Sequence, residues 1–261
     1  MIQKSLLYKN IHVNYYDSGK GNTLLFLHGF LENAKMWTDY ATFLSSKYRV
    51  ISLDLLGHGE TGCLGYVHSM EDMADAVFAV IHHLKLRKVT LIGHSMGGYV
   101  ALAFAELYPD HVKNLILINS TARADTPERV LNRDRAIELI KKNAPIFISM
   151  AINNLFGDHL KPQLEKEINH AREEALKTPK QGVIAALEGM KTRIDREVLL
   201  HFAPYPIAFI LGKEDTVVPY EETLEQLKET QVSVIPLEGG HMLHLEQKEA
   251  LKHHLAELLK T

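Results

Sequence analysis

Gly93-His94-Ser95-Met96-Gly97-Gly98 follows the apolar run Val89-Thr90-Leu91-Ile92 and precedes a helix-like segment that starts at Tyr99. A β-branched run, a glycine-flanked serine and a helix together describe a sharp strand-to-helix turn. In such a turn the serine lies in a strained backbone conformation, and its hydroxyl projects at the carboxyl end of a sheet with a helix N-terminus beneath it. The glycines on either side accommodate the crowding. A bare G-x-S-x-G arises by chance in about one chain in ten of this length. The serine therefore gains meaning only from partners elsewhere in the chain.

Upstream, Ile2 to Tyr8 and Ile11 to Tyr16 read as two strands joined at Lys9-Asn10, an N-terminal hairpin. Leu24-Leu25-Phe26-Leu27 is a continuous apolar run, the pattern of a strand covered on both faces, and it ends in His28-Gly29-Phe30. Lys35 to Ser45 has helical spacing, and Arg49 to Leu53 is a further buried strand leading into Asp54-Leu55-Leu56-Gly57-His58-Gly59. Met70 to Leu84 carries an apolar stripe at helical period. Downstream of the serine, a helix over Tyr99 to Tyr108 stops at Pro109, and Val112 to Ile118 is the next strand. Strand and helix alternate up to this point, which predicts an α/β fold with a mainly parallel sheet, of eight strands in all, flanked by helices.

The alternation breaks after Asn119. Residues 120–200 contain no convincing strand, and helices are predicted over Pro127 to Lys142, Ile146 to Phe156, Pro162 to Leu176 and Pro179 to Thr192, with prolines near three of the starts. This divides the chain into a core of residues 1–119 and 201–261 and a helical cap of residues 120–200. Strands return at Ile207 to Leu211 and Val232 to Ile235, with a helix over Tyr220 to Thr230 between them and a closing helix over Leu243 to Leu259.

Composition narrows the function classes. In 261 residues with a net charge of −3 there is no basic field for nucleic acid and no block of like charge for a membrane surface. A small-molecule partner is the plainer expectation. Oligomeric state leaves no signature. The single cysteine, Cys63, cannot form an internal disulfide, which fits a reducing, cytoplasmic compartment. The first residues lack the charged start and apolar run of a secretory signal, and no stretch approaches the roughly 18 apolar residues of a spanning helix. No His or Cys spacing resembles a zinc site, so neither metal nor cofactor is expected.

A serine hydroxyl is a poor nucleophile at neutral pH. It needs an imidazole to take its proton and a carboxylate to orient that imidazole. Such groups belong at the carboxyl ends of strands, where loops converge. Asp215, in Gly212-Lys213-Glu214-Asp215, directly follows one predicted strand, and His241, in Glu238-Gly239-Gly240-His241, follows the last. Glu214 is the neighbouring rival for the acid, and the shorter side chain of Asp215 suits a fixed hydrogen bond better. The strand ending at Ile118 is followed by Asn119-Ser120 and offers no carboxylate. Asp54 reads as a structural loop residue and His28 as a loop brace. His244 reads as a surface or packing histidine, and the His94 side chain as one that acyl transfer does not require.

These stretches, in this order and over essentially the whole chain, resemble the α/β-hydrolase fold family, in particular its capped esterase and lipase-like members. The resemblance rests on His28-Gly29-Phe30, Asp54 to Gly59, Gly93 to Gly98, Gly212 to Asp215, and Gly240-His241 followed by Glu246. It implies Ser95 as nucleophile, His241 as general base and then acid, and Asp215 as the orienting carboxylate. It also implies an oxyanion hole from the backbone N–H groups of Phe30 and Met96. The aspartate nucleophile of dehalogenases and epoxide hydrolases of this fold is absent.

The expected activity is hydrolysis of small to medium, largely apolar carboxylic esters through an acyl-enzyme. The same triad acting on carbon–carbon, thioester or lactone bonds, or in perhydrolysis, is the alternative, and a ligand receptor with negligible turnover is a second. Phe30 and the apolar cap residues Phe147, Met150 and Phe156 are the candidate substrate contacts. Arg and Lys do not cluster in the motif loops, which argues against a multiply charged substrate.

Overall fold

The computed structural model describes residues 1–260. Its eight strands are β1 (Ile2–Tyr8), β2 (Ile11–Ser18), β3 (Thr23–Leu27), β4 (Arg49–Leu53), β5 (Val89–His94), β6 (Val112–Ile118), β7 (Ile207–Gly212) and β8 (Ser233–Leu237). They form one sheet in the order β1-β2-β4-β3-β5-β6-β7-β8. The β1–β2 and β2–β4 pairs are antiparallel and all others are parallel. The α/β-hydrolase fold expected from the sequence is thus the fold of the chain.

The continuous apolar runs have a direct physical cause. Side chains alternate between the faces of a strand, and both faces here are covered. On β3, Leu25 and Leu27 enter one core with Leu53, Leu91 and Val100, while Leu24 and Phe26 enter the other with Trp37, Ile92 and Leu251. Helices α2 (Met70–His83) and α3 (Met96–Leu107) pack against each other on the first face. Helices α1 (Thr38–Leu44) and α10 (Lys248–Leu258) cover the second.

Between β6 and β7 lie α4 (Pro127–Asn153), α5 (Glu165–Ala175), α6 (Lys180–Lys191) and α7 (Glu197–Phe202), with no strand among them. The two helices expected before Phe156 join into α4 across a break at Asn143, whose φ of −156° and ψ of 86° are non-helical. The break has a local cause. Pro145 cannot donate a helical hydrogen bond, and Asn143 Oδ1 accepts from the Ile146 N–H at 3.2 Å, as a cap does for a new helix. The helix expected after β7 is α8 (Tyr220–Gln226), and the expected closing helix divides at Gln247 into α9 (Leu243–Glu246) and α10. The helix at Lys35 begins as a 3-10 turn, Ala34–Trp37, and α3 begins three residues earlier than its apolar spacing suggests. The short α7 carries too little periodicity to be read from sequence. No described helix is long and apolar enough to cross a membrane.

Candidate active site

Ser95 stands between the last residue of β5 and the first of α3, with φ 49° and ψ −116°. This region is costly for a residue with a side chain and persists only where the surroundings enforce it. Here the Ser95 N–H donates to the Ile118 carbonyl at 3.0 Å, and the Ser95 carbonyl accepts from Ser120 Oγ at 2.9 Å. Gly97 shows why the turn excludes larger residues: a Cβ there would lie 2.4 Å from the Leu27 carbonyl oxygen.

The structure brings the three sequence-predicted side chains together. His241 Nε2 accepts from Ser95 Oγ at 2.9 Å, and His241 Nδ1 donates to Asp215 Oδ2 at 2.7 Å. The other oxygen, Asp215 Oδ1, accepts from the N–H groups of Val217 and Val218 at 2.8 and 2.9 Å. The carboxylate is therefore held from both sides. Its rival Glu214 points away, half-exposed, toward His159. Near Ser95, the Phe30 and Met96 N–H groups find no acceptor among the described residues. For Met96 this is the orphan donor of a helix start.

Three groups of residues at the site were not evident from sequence. At the end of β6, Asn119 donates to the Gly240 and His241 carbonyls, both at 2.8 Å, and accepts from the Gly212 N–H at 2.7 Å. It ties the acid-bearing strand to the histidine loop. Second, His94 donates from Nε2 to the His241 carbonyl at 2.9 Å and from Nδ1 to Glu32 Oε2 at 2.7 Å. Glu32 Oε2 also accepts from the Gly29 N–H at 2.8 Å, so one carboxylate steadies both the Phe30 loop and His94.

Burial alone would raise the Glu32 carboxyl, but the charges of His94 and His244 and the His94 hydrogen bond bring it down to about 2. Burial likewise pulls His94 down, and Glu32 together with the His241 carbonyl more than reverses this, holding it above the ordinary 6.5. The pair is a buried imidazolium–carboxylate ion pair.

His244, expected to be a surface or packing histidine, packs in the interior beside Trp37 and His94, with Nε2 3.4 Å from Glu32. Desolvation pushes it down to about 4. Glu32, His94 and His244 present ligand atoms within 4.8 Å of one another, the donor set of a metal site. Both His94 nitrogens carry protons to acceptors, however, which leaves no lone pair for a metal. His28 braces the loops, accepting from the Leu55 N–H at 2.9 Å, and Asp54 accepts from the Ala34 and Glu60 N–H groups and from Asn14.

The third group lies above the serine, in a cavity of about 100 Å³ lined by Phe30, Tyr99, Leu155, Val217, Arg129 and Arg133. Of the candidate substrate contacts only Phe30 lines it. Met150 is 58% exposed, because α4 turns its neighbour Ala151 to the cavity instead. Phe147 is half-buried against the core, and Phe156 is buried within it. The two arginines stand four residues apart on α4, a helical spacing outside every motif loop.

An eight-stranded, mostly parallel sheet with a strained serine at the carboxyl end of an interior strand defines the α/β-hydrolase class. The chain belongs to the α/β-hydrolase fold family, whose model matches residues 22–248. Among solved structures it is similar to a thermophilic esterase from Thermogutta terrifontis, solved with malate bound, at 34% identity and a TM-score of 0.91, covering 100% of this chain and 98% of the other. A putative 2-succinyl-6-hydroxy-2,4-cyclohexadiene-1-carboxylate synthase from Bacillus subtilis is 30% identical over 90% of this chain and 89% of its own. The acetyltransferase component of the acetoin cleaving system of Pseudomonas putida is 29% identical over 93% of this chain, which spans 65% of that longer protein.

Proposed function

We propose that the protein is a serine hydrolase of carboxylic esters. The observation that carries this reading is the unbroken hydrogen-bonded chain from Asp215 through His241 to Ser95, beside two backbone donors without acceptors. His241 Nε2 takes the Ser95 proton as Oγ attacks the ester carbonyl, and Asp215 keeps the imidazole in the required tautomer and stabilises its charge. The oxyanion of the tetrahedral intermediate accepts from the Phe30 and Met96 N–H groups, each worth about 3 kcal/mol in the transition state. Collapse expels the alcohol, which takes the proton from His241. Water, deprotonated by the same nitrogen, then releases the acid and frees Ser95. The esterase relative with 34% identity supports this bond type, and the single cysteine and the lack of a basic field support a small-molecule substrate in a reducing, cytoplasmic compartment.

The test is hydrolysis of p-nitrophenyl acetate and butyrate. Wild-type protein turns both over, Ser95→Ala abolishes turnover, and an organophosphonate labels Ser95 alone. Undiminished turnover by the Ser95→Ala protein would sink the mechanism. Ranking esters, thioesters, lactones and diketones by kcat/KM identifies the preferred bond.

A further inference from the structure

The cavity over Ser95 is small, and its charge is one-sided. Arg129 and Arg133 line it together with Ser95 and His241. Arg193 lies just behind, its guanidinium 4.1 Å from the ring centroid of Tyr99, another lining residue. Against these three cations the cap sets one carboxylate, that of Asp125, whose side chain is shielded from solvent. Arg133 binds it through Nε, with Nη2 to Oδ1 at 3.3 Å, and Arg193 Nη1 approaches Oδ1 at 2.6 Å. Asp125 is thus shared between two guanidiniums.

Arg129 has no carboxylate partner among the described residues. Its protein contact is to the neutral Val217 carbonyl, in the loop that holds Asp215. The other acids at this site are already committed, Glu32 to His94 and Asp215 to His241. The cavity therefore carries about two uncompensated positive charges beside the nucleophile. Around them the wall is apolar, with Phe30, Tyr99, Leu155 and Val217, so an anion placed there is weakly screened.

Resting on the ester-hydrolase reading, we propose that the preferred substrate is a hemi-ester of a short dicarboxylic acid, with its ester carbonyl at Ser95 and its free carboxylate held by Arg129 and Arg133. Arginine is suited to this because its planar fork binds carboxylate in bidentate fashion. The cavity sets the length of the chain: about 100 Å³ holds a few heavy atoms, given the ~30 Å³ that one water occupies in the liquid. A four-carbon acyl group suits so small a space better than a fatty acyl chain. The proposal adds a single anionic end to the largely apolar substrate expected from the sequence.

The decisive pair of probes is monoethyl succinate and ethyl butyrate, which share an acyl length and differ in a terminal carboxylate against a methyl. Released ethanol is measured for each. Wild-type protein is expected to favour monoethyl succinate by about tenfold or more in kcat/KM, with Arg129→Gln lowering that ratio by about tenfold and Arg129→Lys recovering part of it. Melting curves of both variants certify that the fold is intact. In parallel, the Ser95→Ala protein binds monoethyl succinate more tightly than ethyl butyrate in a titration followed by NMR. This arm reads the anion site without any turnover. A ratio of one or less overturns the inference, as does equal binding in the Ser95→Ala protein, even where ethyl butyrate is turned over well. Failure of both esters to react overturns the ester reading instead, and the binding arm still decides the anion site.

Discussion

Glu32 receives two donors on one oxygen, and they come from different parts of the site: the Gly29 N–H of the loop that leads into Phe30 and the His94 imidazolium that holds the His241 carbonyl. Replacing it with glutamine removes the charge and places an amide where two donors converge, leaving His94 buried and unpaired. Breaking a buried pair from one side costs about 3–5 kcal/mol, less whatever His94 recovers by losing its proton. Glu32→Gln is therefore expected to lower thermal stability and to reduce kcat more than it raises KM, because it loosens positioning rather than binding. A third readout separates positioning from bulk destabilisation. By NMR, His94 is doubly protonated at neutral pH in the wild type and neutral in Glu32→Gln. An imidazole that titrates identically in both proteins contradicts the ion-pair assignment. No local pattern announces this contact, since the partners lie 62 residues apart and meet only because β3 and β5 are neighbours in the sheet.

At the level of elements, α6 packs on the core through close backbone approaches at its glycines as well as through the buried Val183, Ala186, Leu187 and Met190. Gly189 approaches the loop before α2 so closely that a Cβ there would fall 1.7 Å from the His68 carbonyl oxygen. Gly189→Ala cannot be absorbed by a side-chain rotation, so the helix must shift from its seat. Overpacking of this kind costs about 1–3 kcal/mol. The expected result is a melting temperature several degrees lower, together with reduced kcat/KM, since Met190 next to it lines the cavity over Ser95. An unchanged melting temperature would show that α6 is not seated this way. The same contrast separates what sequence reveals from what it hides. Core strands are readable because two covered faces force unbroken apolar runs, as in Leu24 to Leu27. Between β6 and β7, Pro145 and Asn143 are each visible, yet whether they end a helix or bend it depends on packing, and so does the face of α4 that meets the cavity. For that reason Arg129 and Arg133 emerge from the fold and Met150 drops out.

For the whole molecule, sheet order converts distant sequence into one site. Ser95, Asp215 and His241 follow β5, β7 and β8, parallel strands whose carboxyl ends share one edge of the sheet, and Phe30 follows β3, which pairs directly with β5. Chain order could therefore suggest the constellation, while its bracing remained hidden. That bracing packs ionisable histidines into the interior, and this makes stability depend on pH. Burial pushes His244 down to about 4 and His58 down to about 3, so both are neutral in the folded protein where an exposed imidazole of ordinary 6.5 would take a proton. The unfolded chain then binds more protons than the folded one, and stability falls as pH drops below 6.5 toward those values. His94 acts in the opposite sense. Raised above 6.5, it contributes fully below that pH and loses its contribution as pH rises through its folded value. Glu32, at about 2 against an ordinary 4.5, contributes above 4.5 and loses that contribution only in stronger acid. Between pH 6.5 and 4.5 the buried neutral histidines therefore set the slope, and the melting temperature is expected to fall steadily across that window. His244→Gln removes one of these groups, and the dependence of unfolding free energy on pH there should shrink by about one proton, roughly 1.4 kcal/mol per pH unit. Denaturant melts at pH 6.5, 5.5 and 4.5 measure the slope for both proteins, and equal slopes would show that His244 takes up its proton without unfolding.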